Sequence, residues 1–288
     1  MKKKRSVGER IFHFCNYSVL IILAFICIYP FWHSVMASFS DGYALIKSTG
    51  FLWRPAEFSL AAYERVFQNN NIWTGYLNTL ILLVVGVPLS MVLTCLGAYF
   101  LSRENVMFKK PIFFLILLTM YFSGGMIPTF LNLKDLGLLG SLWGVILPAA
   151  LSTYNLMILK TSFGAVPVSL CEAAKIDGAG HLKILVSVVI PLSKASLAVI
   201  ALYYGLSIWN SWFWADLIIS DASKLPLQAI LRKMIISTSP EELGYEADHT
   251  VETLKYATMV VSIIPILFIY PFMQKRFTKG VLIGSVKG

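Results

Sequence analysis

Charged residues are scarce in this sequence, and their scarcity excludes a soluble globular domain. Only 14% of the 288 residues are charged, whereas 57% are hydrophobic and the mean hydropathy is +0.71. An average soluble domain carries about 25% charged residues. A soluble core of this size cannot hide so much apolar surface, so the sequence predicts that a lipid bilayer surrounds most of the chain.

The sequence also lacks recognisable motifs for catalysis, metal binding or nucleotide binding. The four cysteines and four histidines show no metal-ligand spacing and form no recognisable catalytic triad. The chain has no G-x-x-x-x-G-K-[ST] loop, the segment that cradles the phosphates of ATP. The predicted spans contain no chain of buried acids of the kind that proton-driven carriers use. The sequence therefore predicts a non-catalytic protein that binds neither a metal nor a cofactor itself.

Long apolar runs are what the sequence does contain. Crossing the hydrocarbon layer takes roughly 20 predominantly apolar residues in a helix, because every backbone polar group must be paired there. The sequence predicts an all-α polytopic membrane protein with six transmembrane helices, at about residues 16–32, 77–101, 112–130, 142–159, 197–214 and 257–273. Glycine and proline residues at Pro88, Gly124, Gly125 and Pro128 offer sites for kinks.

The positions of Lys and Arg predict the orientation. With the N-terminus in the cytoplasm, the inside segments are 1–10, 102–110, 160–194 and 274–288, and they hold 16 of the 24 basic residues but only four of the 15 acids. This asymmetry follows the positive-inside rule. It accounts for the net charge of +9 without a nucleic-acid partner. Both termini are expected in the cytoplasm.

The N-terminal run has an alternative interpretation. "MKKKR" before an apolar stretch resembles a signal peptide, and "VMA" at Val35 to Ala37 resembles a cleavage site. The apolar stretch is long for a signal peptide, and Pro30 and Trp32 are unusual near a cleavage site. We expect a retained membrane anchor, and the topology further along the chain is the same in either case.

One polar stretch, "CEAAKIDGAGHLK" at Cys171 to Lys183, interrupts the apolar sequence. "SLCE", Ser169 to Glu172, fits a capping box that starts a helix, and Gly178 is a natural residue to end it. A second short helix is predicted after Gly180. By itself this pattern is also that of an ordinary capped turn between two spans.

The spacing of the stretch resembles a known family. Glu172-Ala-Ala, three residues, Gly178, nine residues and then Val188-x-Ile190-Pro191 is similar to the E-A-A-x3-G-x9-I-x-L-P loop of permease subunits in ABC-type importers. Val188 and Ile190 replace the isoleucine and leucine of that pattern. Three further segments resemble carbohydrate-importer permeases, the last of them the alginate-type subgroup: "AYFLSR" at 98–103, "QKRFTKGVLIGSVKG" at 274–288 and the run at 124–148.

The resemblance implies a MetI-like fold in which this loop, residues 169–191, forms a cytoplasmic coupling helix between transmembrane helices 4 and 5. In that family the coupling helix docks in a cleft of the ATPase subunit. Carried over, Glu172 meets a basic group of the ATPase, Ala173 and Ala174 pack into the cleft, and Gly178 permits the bend. Asp177 is either a second contact or a solvated residue near the helix end. Pro191 is predicted to start the fifth span, where its missing N–H costs nothing.

Neutral polar side chains mark the candidate translocation path. Asn155 in the fourth span and Tyr203, Tyr204, Trp209 and Asn210 in the fifth offer the hydrogen bonds and aromatic faces that bind sugars. Trp209 belongs to the aromatic stretch "WNSWFW". An interfacial belt, in which Trp and Tyr are enriched at any membrane surface, is the alternative interpretation of that stretch.

These features predict a permease subunit of an ATP-driven, binding-protein-dependent oligosaccharide importer in a bacterial cytoplasmic membrane. Its expected partners are a second homologous permease, two ATPase subunits that hold ATP and Mg²⁺, and an external solute-binding protein. The external acidic loop at 239–252 is either a docking surface for that protein or simply solvated. Alternatives are the same type of permease for a peptide, amino acid or phosphate, or a stand-alone secondary carrier.

Three regions are expected along the chain. Residues 1–72 hold the N-terminal segment, the first span and an external loop, residues 73–274 form the core permease domain, and residues 275–288 form a cytoplasmic tail.

Overall fold

The structure is a computed structural model that describes residues 7–104, 106–236 and 252–268. Within these ranges every regular element is a helix, and strand-like pairing is limited to one isolated bridge between Ser40 and Phe58. The all-α prediction is confirmed. Most of the acidic loop at 239–252, the tail at 275–288 and the end of the predicted sixth span lie outside the described residues.

The helices follow one another in this order: α1 (Val7–Ser38), α2 (Gly42–Lys47), α3 (Ala61–Gln68), α4 (Asn70–Ser102), α5 (Lys109–Tyr121), α6 (Met126–Asp135), α7 (Trp143–Ala149), α8 (Thr153–Gly164), α9 (Val168–Ile176), α10 (His181–Ile184), a π-helical segment (Leu185–Val189), α11 (Ile190–Leu192), α12 (Lys194–Trp209), α13 (Trp212–Ile218), a 3₁₀ turn (Ala222–Lys224), α14 (Leu227–Ile236) and α15 (252–268).

The chain divides into two compact units. The first holds the described residues up to Asn69 and those from Lys233 to Ile264. Its longest element is α1, and the segment after α1 folds back on it: the Tyr29 hydroxyl accepts a hydrogen bond from the Leu52 backbone N–H at 3.0 Å. Trp32 Nε1 donates to the Trp53 carbonyl at 3.2 Å. These bonds fix the predicted external loop to the end of the first span.

A half-buried tyrosine joins α3 to the end of α1 in the same unit. The Tyr63 hydroxyl of α3 lies 2.8 Å from the Ser38 hydroxyl at the end of α1. Burial raises the pKa of Tyr63, while the hydrogen bond with Ser38 acts in the opposite direction. The neutral phenol is therefore the form that the fold accepts.

The second unit is built around α4. Its described residues are Asn70 to Arg232 and 265–268, and α4 packs mainly against α8 and α12. A side chain at Gly97 would place its Cβ 3.0 Å from Leu156 of α8, and one at Gly86 would approach Ile208 of α12 to 2.8 Å. Small residues therefore let these helices approach closely, as in helix packing within membranes. A single apolar core joins α4, α8, α9, α10 and α12.

Two of the helices, α1 and α4, are long and apolar enough to cross a bilayer without a break, and they include the first two predicted spans. Three further pairs qualify only as bent spans. They are α5 with α6 at 115°, α8 with α9 at 73°, and the α10–α11 segment with α12 at 89°. The part of the chain that the structure describes thus offers between two and five spans.

The predicted third span, 112–130, is not one straight helix. Helix α5 ends at Tyr121 and α6 begins at Met126, with Gly125 at a φ of +88° between them. Glycine adopts this conformation without the steric penalty that a Cβ would impose. Pro128 sits in the first turn of α6, where its missing N–H is tolerated. The bend falls at Gly125, one of the predicted kink sites, although its sharpness was not expected, whereas Pro88 lies within the unbroken helix α4.

The predicted fourth span, 142–159, is likewise interrupted. Helix α7 ends at Ala149 and α8 begins at Thr153. Ser152 caps α8, since its Oγ accepts a hydrogen bond from the Asn155 N–H at 3.3 Å. The capping oxygen gives the chain a new helix start at this point. The continuous helix expected here was wrong.

Candidate coupling segment and translocation cavity

The coupling segment, defined here as residues 168–192, begins with α9. Helix α9 starts at Val168 after Pro167, and no side chain caps its first turn. Ser169 is therefore already inside the helix, and the predicted capping box with Glu172 is wrong. The physical reason is that a capping residue needs a non-helical conformation. Pro167, with its fixed φ, takes that position instead.

The end of α9 follows the prediction. Gly178 has a φ of +77°, its N–H donates to the Lys175 carbonyl at 3.0 Å, and the Ala179 N–H donates to the Ala174 carbonyl at 2.9 Å. This pair of bonds is a Schellman motif, which satisfies the last carbonyls of a helix and favours glycine. The next helix, α10, starts at His181 after Gly180, as predicted.

The face that α9 presents differs from the expected one. Glu172, Ala173 and Asp177 are exposed, but Ala174 is half-buried against the core that includes Cys171. Glu172 and Asp177 make no side-chain hydrogen bond or ion pair within the described part of the chain. Both carboxylates therefore have no partner among the residues that the structure describes.

Exposed apolar side chains on this segment were missed by the reasoning from sequence. Ile176 is 87% exposed and Leu182 is 69% exposed, on the two helices that flank Gly178. The available signal was an isolated apolar residue between Lys175 and Asp177 in an otherwise polar run. Together with the free carboxylates, they give the segment an amphipathic outer surface.

The return from this segment to the membrane is also different from the prediction. Pro191 lies exposed in the short α11, which follows the π-helical segment, and does not start the helix that overlaps the predicted fifth span. That helix, α12, begins at Lys194 after an 89° bend at Ser193. Ser193 is buried, and in the part of the chain that the structure describes its Oγ has no hydrogen-bond partner. A π-helical segment within an α-helix is a feature often associated with functional sites.

Side chains from the end of α4 contact both short helices of the segment. The Tyr99 hydroxyl lies 3.2 Å from His181 Nδ1, and Arg103 Nη1 donates to Cys171 Sγ at 3.2 Å. The Arg103 guanidinium lies 4.7 Å from the centroid of the Tyr99 ring. Tyr99 lies in the last turn of α4 and Arg103 directly follows the helix; no pattern in the sequence indicated their partners.

A cavity of about 450 Å³ lies between α8 and α12. Of the predicted path residues, it brings together Asn155, Tyr203 and Tyr204. Tyr204 is held in place, since its hydroxyl lies 2.7 Å from Thr94 Oγ1 and accepts the Ser152 N–H at 3.0 Å. The remaining lining residues are Ala149, Leu151, Ser152, Tyr154, Leu206 and Ser207.

A second cavity of about 420 Å³ shares Ala149 and Ser207 with the first, so the two adjoin along α12. Asn210 lines this second cavity, with Ser211, Phe213 and Trp214. Trp209 lines neither cavity: it is buried, and its Nε1 finds no hydrogen-bond partner within residues 7–104, 106–236 and 252–268. Four of the five predicted path residues thus border the two cavities, and none of the described lining residues carries a carboxylate, ammonium or guanidinium group.

Comparison with known proteins adds a family to this geometry. Residues 58–283 match the family described as binding-protein-dependent transport system inner membrane component. The chain is 43% identical to the polygalacturonan/rhamnogalacturonan transport system permease protein YtcP of Bacillus subtilis strain 168, over 97% of this chain and 99% of that protein. It is 38% identical to protein LplC of the same organism, over 97% of this chain and 96% of LplC.

A solved structure agrees with these relatives. One chain of a bacterial ABC transporter involved in the import of the acidic polysaccharide alginate matches with a TM-score of 0.88 and 37% sequence identity. The match covers 96% of this chain and 100% of that one.

Proposed function

Because the chain belongs to the family of inner membrane components of binding-protein-dependent transport systems, we propose that it is the permease subunit of an ATP-driven oligosaccharide importer. In this role it forms half of the translocation pathway and catalyses no reaction. The observation that carries the proposal is the pair of adjoining cavities along α12, whose described lining residues combine aliphatic side chains with neutral polar and aromatic groups and include no charged side chain. The polar and aromatic members are the ones that matter for cargo. Such groups bind hydroxyl-rich ligands through hydrogen bonds and ring stacking.

The cargo that we propose is an oligosaccharide derived from an acidic polysaccharide. Support comes from one relative described as a permease of polygalacturonan/rhamnogalacturonan transport and from a solved transporter involved in the import of alginate. The neutral linings contribute contacts to sugar hydroxyls but no counter-charge for a carboxylate. In this proposal, groups that recognise the acid belong to the second permease or to the solute-binding protein.

The coupling segment supplies the mechanical part of the proposed function. Exposed Glu172 and Asp177 are free to meet basic groups of an ATPase, and charge-assisted hydrogen bonds are the stronger class. Exposed Ala173 leaves room for close approach, while Ala174 acts from within by joining α9 to the core. Gly178 fixes the bend between α9 and α10. Pro191 lies at the end of the segment, just before the bend into α12.

We further propose six spans with both termini in the cytoplasm of a bacterial cell, in its cytoplasmic membrane. The clustering of Lys and Arg in alternate loops supports this orientation. Two ATPase subunits then bind ATP and Mg²⁺, since this chain has no phosphate-binding loop of its own.

The composition of the complex tests the proposal directly. The chain is tagged, extracted gently from native membranes and its companions are identified by mass spectrometry. We expect an ATPase and a second permease with the same E-A-A loop, together with a solute-binding protein when cargo is present. Recovery of this chain alone in an active form would contradict the proposal.

The cavity is tested by transport. Asn155→Leu removes a polar lining group at similar volume and should raise the sugar concentration needed for half-maximal uptake by about tenfold, the range in which an unpaired sugar hydroxyl lowers affinity. Lys134→Gln, an exposed position on α6, serves as the matched control. Unchanged uptake by Asn155→Leu would show that the cargo does not use this cavity, and uptake of amino acids, peptides or phosphate instead would replace the cargo class.

A further inference from the structure

The coupling segment is attached to the membrane helices by more than its own chain ends. It continues from α8 at one end and into α12 at the other, and each of these connections is bent. A third attachment is formed by side chains alone, through Tyr99 and Arg103 at the end of α4. These two residues contact Cys171 of α9 and His181 of α10, one on each side of Gly178. One helix end therefore spans the bend in the segment.

The chemistry of this attachment is unusual for an arginine. Within the described residues, the Arg103 guanidinium has no carboxylate partner; its contacts are the Cys171 sulfur and the face of the Tyr99 ring. Arg103 Nε is buried and has no acceptor among those same residues. The cysteine sulfur is a weak hydrogen-bond acceptor, and an aromatic ring attracts a cation only when the cation lies over the face of the ring. Such contacts depend on shape, so they persist only while α4 and α9 keep their relative positions.

Tyr99 connects the two halves of the attachment. Its ring lies under Arg103, which reaches α9, and its hydroxyl meets His181, the first residue of α10. Tyr99 and Cys171 are both buried, and they belong to the same apolar core. A displacement of either short helix therefore changes contacts that α4 makes through this single ring.

We propose that Tyr99 and Arg103 are positioning residues that make α4 follow the movement of the coupling segment. The proposal rests on the proposed function, since it requires an ATPase that moves this segment. In this proposal, Tyr99 and Arg103 make α9 and α10 move together as one rigid unit. Helix α4 moves with them and transmits their displacement to α8 and α12, which border the cavities. The residues bind no cargo and no nucleotide; they set how much movement reaches the path.

The test is the amount of sugar transported per ATP hydrolysed by the complete complex in lipid vesicles. Arg103→Gln keeps a polar side chain but loses the charge, and Lys110→Gln removes a nearby exposed charge outside these contacts. We expect Arg103→Gln to assemble, to keep hydrolysing ATP, and to transport at least about fivefold less sugar per ATP, the lower end of typical coupling between sites. Lys110→Gln should match the wild type.

An unchanged ratio of sugar transported to ATP hydrolysed in Arg103→Gln overturns the proposal. This holds whether both rates stay at the wild-type level or both fall equally, the second case being the signature of a structural defect. If Arg103→Gln does not assemble, Tyr99→Phe decides the matter, because it keeps the ring under the guanidinium and removes only the hydroxyl that meets His181.

A double-mutant cycle then isolates the contact between Tyr99 and His181. Tyr99→Phe and His181→Ala should each lower the ratio, and the double variant should be no worse than the poorer single variant, because both remove the same contact. Additive losses would show that the two side chains act separately and would overturn the link. A wild-type complex that transports no oligosaccharide would instead contradict the proposed function. Failure of the proposed function can therefore be told apart from failure of the proposed role of Tyr99 and Arg103.

Discussion

Two helices of this protein, α1 and α4, are nearly the same length and equally apolar, yet they have opposite surroundings. They have 32 and 33 residues, and each passes the same test for a membrane span. None of the most apolar window of α1 is buried within the chain, whereas 28% of that window in α4 is buried. Apolarity therefore identifies a span but does not tell whether the span faces lipid, another subunit or its own chain.

The difference lies in the small residues. Along α4, Gly75, Thr79, Gly86, Ser90 and Thr94 are buried at the surface that other helices contact. On α1 the corresponding surface carries large side chains such as Phe25, Ile26 and Ile28, all exposed. Helices in lipid associate through close packing, because there is little hydrophobic gain when one apolar surface replaces another. A helix with small residues in a row is therefore suited to become the centre of a bundle.

Truncating a leucine should show the largest difference in stability effect between α4 and α1. Leu82 of α4 is fully buried, whereas Leu20 of α1 is 52% exposed. We expect Leu82→Ala to cost about 2–5 kcal/mol because it leaves a cavity, and Leu20→Ala to cost much less. Thermal unfolding of the detergent-solubilised permease measures both. If Leu20→Ala becomes costly only in the complete complex, α1 is a subunit interface.

Enlarging a small residue should have the next largest effect. A Cβ at Gly75 would lie 3.1 Å from the Leu227 Cα, a backbone atom that cannot move aside easily. Gly75→Leu should therefore destabilise the permease by about 1–3 kcal/mol through overpacking. Ala24→Leu, at an exposed position of α1, is the matched control. Equal melting temperatures for both variants would be incompatible with close packing of α4 against α14.

Removing a hydroxyl should have the smallest effect. Thr94 of α4 is fully buried and pairs with Tyr204 at 2.7 Å, whereas Ser34 of α1 bonds only its own helix at the Pro30 carbonyl. Thr94→Val should cost about 0.5–1.5 kcal/mol, the net value of one hydrogen bond, since the Tyr204 hydroxyl keeps the bond from the Ser152 N–H. Ser34→Ala should be close to neutral. The same melting experiment measures both, and a neutral Thr94→Val would show that the cavity wall adapts.

Local features of the coupling segment were predictable from neighbouring residues. Gly178 ends α9 and Gly180 precedes α10 because glycine has positional preferences that depend on only a few flanking residues. The start of α9 was not predicted, because Pro167 and Ser169 compete for the capping position and the sequence does not rank them. Pro191 was misplaced for a similar reason: the 89° bend falls at Ser193, a residue without a distinctive local signal.

The spans show the same limit on a larger scale. The runs at 77–101 and 16–32 lie within single helices, while those at 112–130 and 142–159 are broken. The apolar composition of a segment indicates how favourable its transfer from water to lipid is. Because the same residues are transferred whether the helix is continuous or broken and capped, composition does not reveal the breaks. The breaks depend on capping atoms such as Ser152 Oγ and on conformations such as that of Gly125.

By itself the sequence determined the class of the protein, its membrane environment and the spacing of the coupling segment, because these depend on composition and on residues close along the chain. Only the tertiary structure decided which polar groups meet. It placed Asn155, Tyr203 and Tyr204 around one cavity, buried Trp209 beside it, and brought Arg103 to Cys171, 68 positions along the chain. Such pairs are set by how helices pack, and packing depends on side-chain shape across the whole bundle.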